Sequence, residues 1–159
     1  MRAWRLPSDV DTDQLAPGYA MKHGLDLIAR HCLEGVRPEF AIQVQHGDVI
    51  VAGANFGIGS SREQAASVLV HLGVAAVIAP SYSGLYYRNA FNVGLLLLTC
   101  AGAHTIADDE AITFDARAAT VRRANGDTLT CKPISTLLLD LVEAGGLLNQ
   151  LKRRRAMSP

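Results

Sequence analysis

The chain is predicted to fold as a single α/β domain, and three features of the sequence carry that prediction. Short β-branched apolar runs alternate with segments of helical apolar spacing through the first two thirds of the chain, as in a buried parallel sheet covered by helices. A glycine-rich loop, Gly53-Ala-Asn-Phe-Gly-Ile-Gly59, separates the first such run from the helix that follows. Beyond Cys100 the texture changes to short alternating segments with Asn125-Gly126 between two of them, so a small antiparallel β section is expected after the α/β core. With 159 residues, 49% of them hydrophobic and 19% charged, the chain has enough apolar surface for one core and too little for two comfortable domains.

Taken in order, Asp9-Val-Asp-Thr-Asp13 followed by Pro17-Gly18 is dense in side chains that hydrogen-bond their own backbone, which favours a turn or helix entry over a strand. Leu25, Ile28, Ala29, Cys32 and Leu33 recur at helical spacing, and Gly35 with Pro38 supplies the stop. His46 to Gly53 reads as a turn feeding a short buried strand. Ser60 then stands where it would cap the next helix, with Glu63 at the capping-box position and Ala65, Ala66, Val68, Leu69 and Leu72 as the buried stripe. Gly73 to Pro80 is a second buried strand, Leu85 to Asn92 a short helix and Leu95 to Thr99 a third strand, giving β-α-β-α-β. Strands are expected again at Ala111 to Asp115, Thr120 to Arg122 and Thr128 to Cys131. Leu137 to Leu148 reads as a last helix with Gly145-Gly146 near its end. The tail Lys152-Arg-Arg-Arg155 reads as a solvated end whose cations suit the helix dipole, against a docking patch for an acidic partner.

Composition excludes several classes of function. Fifteen basic residues balance fifteen acidic ones, so no net field steers the chain to nucleic acid or to an anionic membrane. The apolar run Val93 to Cys100 falls well short of a bilayer span, and Met1 to Pro7 lacks the apolar centre of a signal peptide, so a cytoplasmic location is expected. Cys32, Cys100 and Cys131 lack Cys-x-x-Cys spacing and read as free buried thiols, and His23, His31, His46, His71 and His104 lack tight metal-ligand spacing. No metal site is expected within this chain.

The most informative stretch is Asn55-Phe-Gly-Ile-Gly-Ser-Ser-Arg-Glu63. Gly57 and Gly59 allow sharp backbone turns that leave N–H groups open, and the helix after them adds a positive dipole end beside two hydroxyls and a guanidinium. Such an assembly suits an anion. The five-donor fork of Arg62 matches a carboxylate or phosphate at two oxygens, whereas its plainer role is a surface salt bridge with Glu63 or a neighbour. Two rival motifs fail. A dinucleotide-binding loop wants an acidic residue roughly 20 positions on, where Ala79-Pro80-Ser81 stands. A serine-hydrolase elbow wants Gly-x-Ser-x-Gly, but Ser60 is followed by Ser61, Arg62 and Glu63.

Asp11-Thr12-Asp13, Phe56-Gly-Ile-Gly-Ser-Ser-Arg-Glu63, Ala79-Pro-Ser-Tyr-Ser and Tyr87-Arg-Asn-Ala-Phe-Asn-Val-Gly94 occur in this order. Together they resemble the small subunit of 3-isopropylmalate dehydratase, in the aconitase superfamily, over about residues 4–152, leaving 152–159 as a basic tail. The resemblance implies a swivelling β/β/α domain that closes over a large subunit holding a [4Fe-4S] cluster. It implies a hydro-lyase active only with that subunit, which isomerises 2-isopropylmalate to 3-isopropylmalate in leucine biosynthesis by removing water and adding it back. In the family the serine matching Ser60 is the proton-abstracting base as alkoxide, and the groups matching Ser61 and Arg62, beside Gly59, hold a substrate carboxylate. The family's specificity loop matches Tyr19-Ala-Met-Lys-His23, so Tyr19, Lys22 and His23 become candidate substrate contacts; Lys22 or His23 would read a distal carboxylate or simply be solvated.

The chain departs from the common family pattern at Ile58, where Cys is usual, at Gln64, where His is usual, and in that loop, which is often Tyr-Leu-Arg-Thr-like. A related dehydratase acting on homoaconitate, a citrate-like acid or dimethylmalate stays open as an alternative. So does a non-catalytic anion-binding module. Neither nucleic acid nor membrane is an expected partner.

Overall fold

Four short strands lie side by side in sequence order in the computed structural model, which describes residues 1–158. They are β1 (Ala3–Arg5), β2 (Val49–Val51), β3 (Ala76–Ala79) and β4 (Leu96–Thr99), all parallel, in the register Ala3↔Val49, Val49↔Ala76 and Ala76↔Leu96. The three expected strands are present, each buried on both faces, which is why they read as continuous apolar runs. Strand β1 is an addition. Three residues of Ala-Trp-Arg carry no period, and long-range contacts fix them instead. The Trp4 indole donates to the buried Asp48 carboxylate at 2.9 Å, packs edge-on against Phe40, and lies under the Arg2 and Arg37 guanidinium groups.

The helices are α1 (Thr12–Leu15), α2 (Leu25–Arg30), α3 (Phe40–Gln43), α4 (Gln64–His71), α5 (Gly84–Val93), α6 (Thr136–Ala144) and α7 (Leu147–Met157), with 3-10 turns at Gly18–His23 and Ala101–Thr105; α5 packs on β4, and α6 and α7 pack on α5. The second sheet is antiparallel, in the order β5 (Thr113–Asp115), β6 (Thr120–Arg122) and β7 (Thr128–Thr130), and Gly126 makes the expected turn with φ +92°. No helix among the described residues is long and apolar enough to cross a membrane.

Three expectations need correction. Helix α2 ends at Arg30 rather than near Gly35: Leu33 turns into the left-handed region at φ +61° and donates its N–H to Gln14 O at 2.8 Å, which draws the chain off the helix axis. Ser60 is not a helix cap. Helix α4 starts at Gln64 behind Glu63, and no side-chain capping bond is present, because residues 57–60 are pinned elsewhere. The single helix over Leu137 to Leu148 is two helices, since Gly145 and Gly146 both take positive φ and end α6 before α7 begins. The cations Lys152 to Arg155 therefore belong to a helix, α7, and are exposed along it.

Gly57 leaves no room for a side chain. Its φ is +79°, and an added Cβ would stand 2.1 Å from Cγ of the buried Tyr86. Gly57→Ala is expected to cost about 3 kcal/mol or more in urea unfolding, from overpacking plus backbone strain. Gly126→Ala, also at positive φ but with nothing within 4 Å, should cost only about 1 kcal/mol. Equal costs for the two would mean that the ring contact is unimportant.

Candidate functional site

The glycine loop leaves β2 and is zipped onto the Asp11-Thr12-Asp13 segment before it reaches α4. Gly57 donates its N–H to Val10 O at 2.7 Å, Thr12 donates to Ile58 O at 2.9 Å, and Asp11 and Ile58 form an isolated parallel bridge. Asp11 also caps α1: its carboxylate accepts the Gln14 N–H at 2.8 Å, and the Gln14 side chain accepts the Asp11 N–H at 2.9 Å. Thus a tight helix entry holds the loop from one side. From the other side Asn89 on α5 donates to Ser61 O at 3.1 Å, which gives the Tyr87-to-Gly94 motif a role in fixing the loop.

Gly59 has φ +105°, and a Cβ there would meet Thr12 Oγ1 at 3.1 Å. This turn brings Ser60 beside Thr12. The Ser60 N–H donates to Thr12 Oγ1 at 3.0 Å and the two hydroxyl oxygens lie 3.0 Å apart. Thr12 is 2% exposed, whereas Ser60 and Ser61 are exposed. A buried hydroxyl therefore stands behind an accessible one.

Arg62 reaches back to the same segment. Its Nη1 donates to Asp13 Oδ1 at 2.7 Å and to Ala16 O at 3.0 Å. Its ion-pair partner is Asp13, not Glu63. Asp13 also accepts the Gly18 N–H at 3.0 Å, and the Arg62 guanidinium, then that N–H, hold its carboxyl below the usual carboxylate range. Among the described residues Nε and Nη2 of Arg62 have no hydrogen-bond partner. These two parallel donors are the edge that matches a carboxylate, so the ion pair orients the fork without consuming it.

The loop Tyr19 to His23 is tied to the opposite flank. The Tyr19 hydroxyl donates to Glu34, the Tyr19 ring packs edge-on against His31 at 5.3 Å, and His31 Nδ1 lies 2.7 Å from Glu34 Oε2. The Glu34 carboxylate pushes the Tyr19 phenol up to about 12, while Tyr19 and then His31 pull the Glu34 carboxyl down. Lys22 and His23 are exposed. Among the described residues neither is hydrogen-bonded or ion-paired to Ser60 or Arg62; Arg62 instead reaches the segment just before this loop, at Ala16 O and at Asp13, which accepts the Gly18 N–H.

Ser60, Ser61 and Arg62 thus share one edge with Thr12, Asp13 and Asn89, three positioning residues for which spacing gave no signal beyond their place in the quoted motifs. A cavity of about 440 Å³ lies between Glu63, Asn92, Gly146 and Lys152 and includes none of the candidate residues Ser60, Ser61 or Arg62. Cys32, Cys100 and Cys131 are free and buried, and among the described residues no group of three or more His, Cys, Asp or Glu is arranged to hold a metal ion. Among the described residues the donor set does not fit a [4Fe-4S] cluster.

A Methanopyrus kandleri protein named 3-isopropylmalate dehydratase small subunit 1 is 43% identical over 155 residues, covering 96% of this chain and 91% of that one. This chain belongs to the 3-isopropylmalate dehydratase small-subunit family. The Aconitase C-terminal domain family matches residues 32–103. A methanogen homoaconitase small subunit from Methanothermobacter thermautotrophicus is 46% identical over 93% of this chain and 87% of its own. A crystal structure of 3-isopropylmalate dehydratase from Methanocaldococcus jannaschii has the same fold, with a TM-score of 0.91 at 39% identity over 98% of this chain and 94% of that one. The fold is the small-subunit swivel domain that the resemblance implied, and the chain is a subunit of an isopropylmalate dehydratase-type enzyme.

Proposed function

We propose that this chain is the small subunit of a cytoplasmic [4Fe-4S]-dependent hydro-lyase that isomerises 2-isopropylmalate to 3-isopropylmalate and turns over only with a cluster-bearing large subunit. The observation that carries the reading is an exposed Ser60 backed by buried Thr12, beside an Arg62 fork that Asp13 holds in place with its carboxylate-matching edge open. The Lewis acid needed for the departing hydroxyl would come from a cluster held by the large subunit. Ser60 Oγ takes the carbon-bound proton and returns it during rehydration. A free serine hydroxyl is far too weak an acid to serve as that base unaided, so neighbouring donors must stabilise its anion. Arg62 and the Ser61 hydroxyl grip a substrate carboxylate, and Gly59 lets the backbone approach it. The partner closes over an edge that this chain leaves open.

The loop Tyr19 to His23 selects the substrate in this account. A second reading, homoaconitate, is favoured by the homoaconitase relative and by two basic side chains, Lys22 and His23, exposed in that loop. Ala20 is fully buried, so a Leu there would have to displace its neighbours; the informative exchange is Met21→Arg with Lys22→Thr. In the reconstituted complex, rates for 2-isopropylmalate, homoaconitate, citrate and dimethylmalate should be compared before and after the exchange. The ratio of kcat/KM for two of these acids is expected to move about tenfold or more, equivalent to about 1.4 kcal/mol of transition-state discrimination, with thermal stability nearly unchanged. An unaltered ratio would make the loop structural. Preference for homoaconitate in the unmodified complex would replace the isopropylmalate reading with the second one.

A further inference from the structure

We propose that Thr12 is the positioning residue that makes Ser60 usable as a base, by donating its hydroxyl proton to the Ser60 oxygen; this rests on Ser60 being the base. The hydrogen count leads there. Thr12 Oγ1 accepts the Ser60 N–H at 3.0 Å, so one lone pair is engaged, and among the described residues the Ser60 oxygen, 3.0 Å away, is the remaining partner of the Thr12 hydroxyl. Thr12 is 2% exposed, so bulk water has little access to substitute for it. When Ser60 is neutral either hydroxyl can donate. Once Ser60 has lost its proton, only Thr12 can, and the contact becomes a charge-assisted bond between a buried donor and an anionic oxygen. Accepting the Ser60 N–H polarises the Thr12 hydroxyl and strengthens it as a donor.

The backbone holds this pair in register. The Thr12 N–H donates to Ile58 O and the Thr12 carbonyl accepts the Ala16 N–H, both at 2.9 Å, while Asp11 caps the helix that Thr12 begins. Branching at Cβ restricts Thr12 further to few rotamers. The close approach also accounts for Gly59, whose missing Cβ leaves room beside Thr12 Oγ1. The Asp-Thr-Asp element thereby divides its work: Asp11 caps, Thr12 supports the base and Asp13 orients Arg62.

The test is steady-state kinetics of the reconstituted complex carrying Thr12→Val, Thr12→Ser or Ser60→Ala, each over a range of pH. Loss of one preorganised donor should lower kcat about 100-fold in Thr12→Val. KM should stay within about threefold, because Arg62 and Ser61 still hold the carboxylate, and the acid limb of the kcat profile should move to higher pH, because the Ser60 anion is harder to form. Thr12→Ser restores the donor and should return kcat to within about fivefold of wild type. If Thr12→Val does not fold, Thr12→Ala, which removes the same donor with a smaller side chain, should show the same loss of kcat and the same pH shift. A Thr12→Val complex with kcat within threefold of wild type, or a loss shared equally by Thr12→Ser, or a rise in KM with an unmoved pH profile, overturns the proposal. With Ser60→Ala inactive, such a result removes the role of Thr12 alone; a Ser60→Ala complex that still turns over removes the base and its support together.

Discussion

Ser60→Ala in the reconstituted complex is expected to lose about 1,000-fold or more in kcat while folding, associating with the large subunit and binding substrate nearly as before. The size is that expected for removal of the proton acceptor in the chemical step, the role proposed for Ser60. The sparing of the fold follows from the structure. Helix α4 begins at Gln64 without a side-chain cap, so the substitution costs no capping bond, and the Ser60 N–H keeps its acceptor on Thr12. Only the hydroxyl contact with Thr12 is lost, which is worth about 1 kcal/mol, small beside the roughly 5–15 kcal/mol of a typical domain. Ser61→Ala is the control and should raise KM more than it lowers kcat. A Ser60→Ala complex that keeps more than about a tenth of wild-type kcat, a barrier change under about 1.4 kcal/mol, would place the base elsewhere.

Arg62→Lys is expected to lower kcat/KM by about thirty- to a thousandfold, corresponding to roughly 2–4 kcal/mol of lost transition-state binding. An ammonium at this position can keep the ion pair with Asp13, but it has no second edge. The wild-type guanidinium spends Nη1 on Asp13 and Ala16 and still presents Nε and Nη2 as a parallel pair, which a single tetrahedral nitrogen cannot imitate. Stability should change by no more than about 1 kcal/mol, because the Asp13 side chain is 68% exposed and such pairs are screened. A large loss of activity with little loss of stability separates carboxylate binding from a surface salt bridge. Near-wild-type kinetics in the Lys variant would return Arg62 to the latter.

The parts of this molecule that were legible in the sequence are those fixed by local pattern. Val49 to Val51, Ala76 to Ala79 and Leu96 to Thr99 are buried on both faces, and that requirement writes itself as continuous apolar runs. Ala65, Ala66, Val68 and Leu69 likewise mark the inward face of α4. Ala3-Trp4-Arg5 could not be found that way, since what makes it a strand is its pairing with Val49 to Val51 and the bond from Trp4 to Asp48. Ser60 departs from its local pattern for the same reason: Ser-x-x-Glu matches a capping box, but the competing partner, Thr12, lies 48 residues away. The Gly145-Gly146 break was visible as composition, but not as a break, because what holds it is the close approach of Gly146 to the backbone of Asn92 and Val93. For the candidate site, the chemistry of the Arg62 fork could be read from residue type, whereas its orientation by Asp13 needed the fold.

In the proposed mechanism this chain carries half of an active site, a base and a carboxylate grip that act only against a Lewis acid held by another subunit. The most direct measurement purifies this chain and its large subunit separately under anaerobic conditions, determines iron in each, and assays dehydration of 2-isopropylmalate by each alone and by the two together. The expected result is iron with the large subunit only and turnover in the mixture only. Stoichiometric cluster iron in this chain, or turnover by this chain alone, would contradict it.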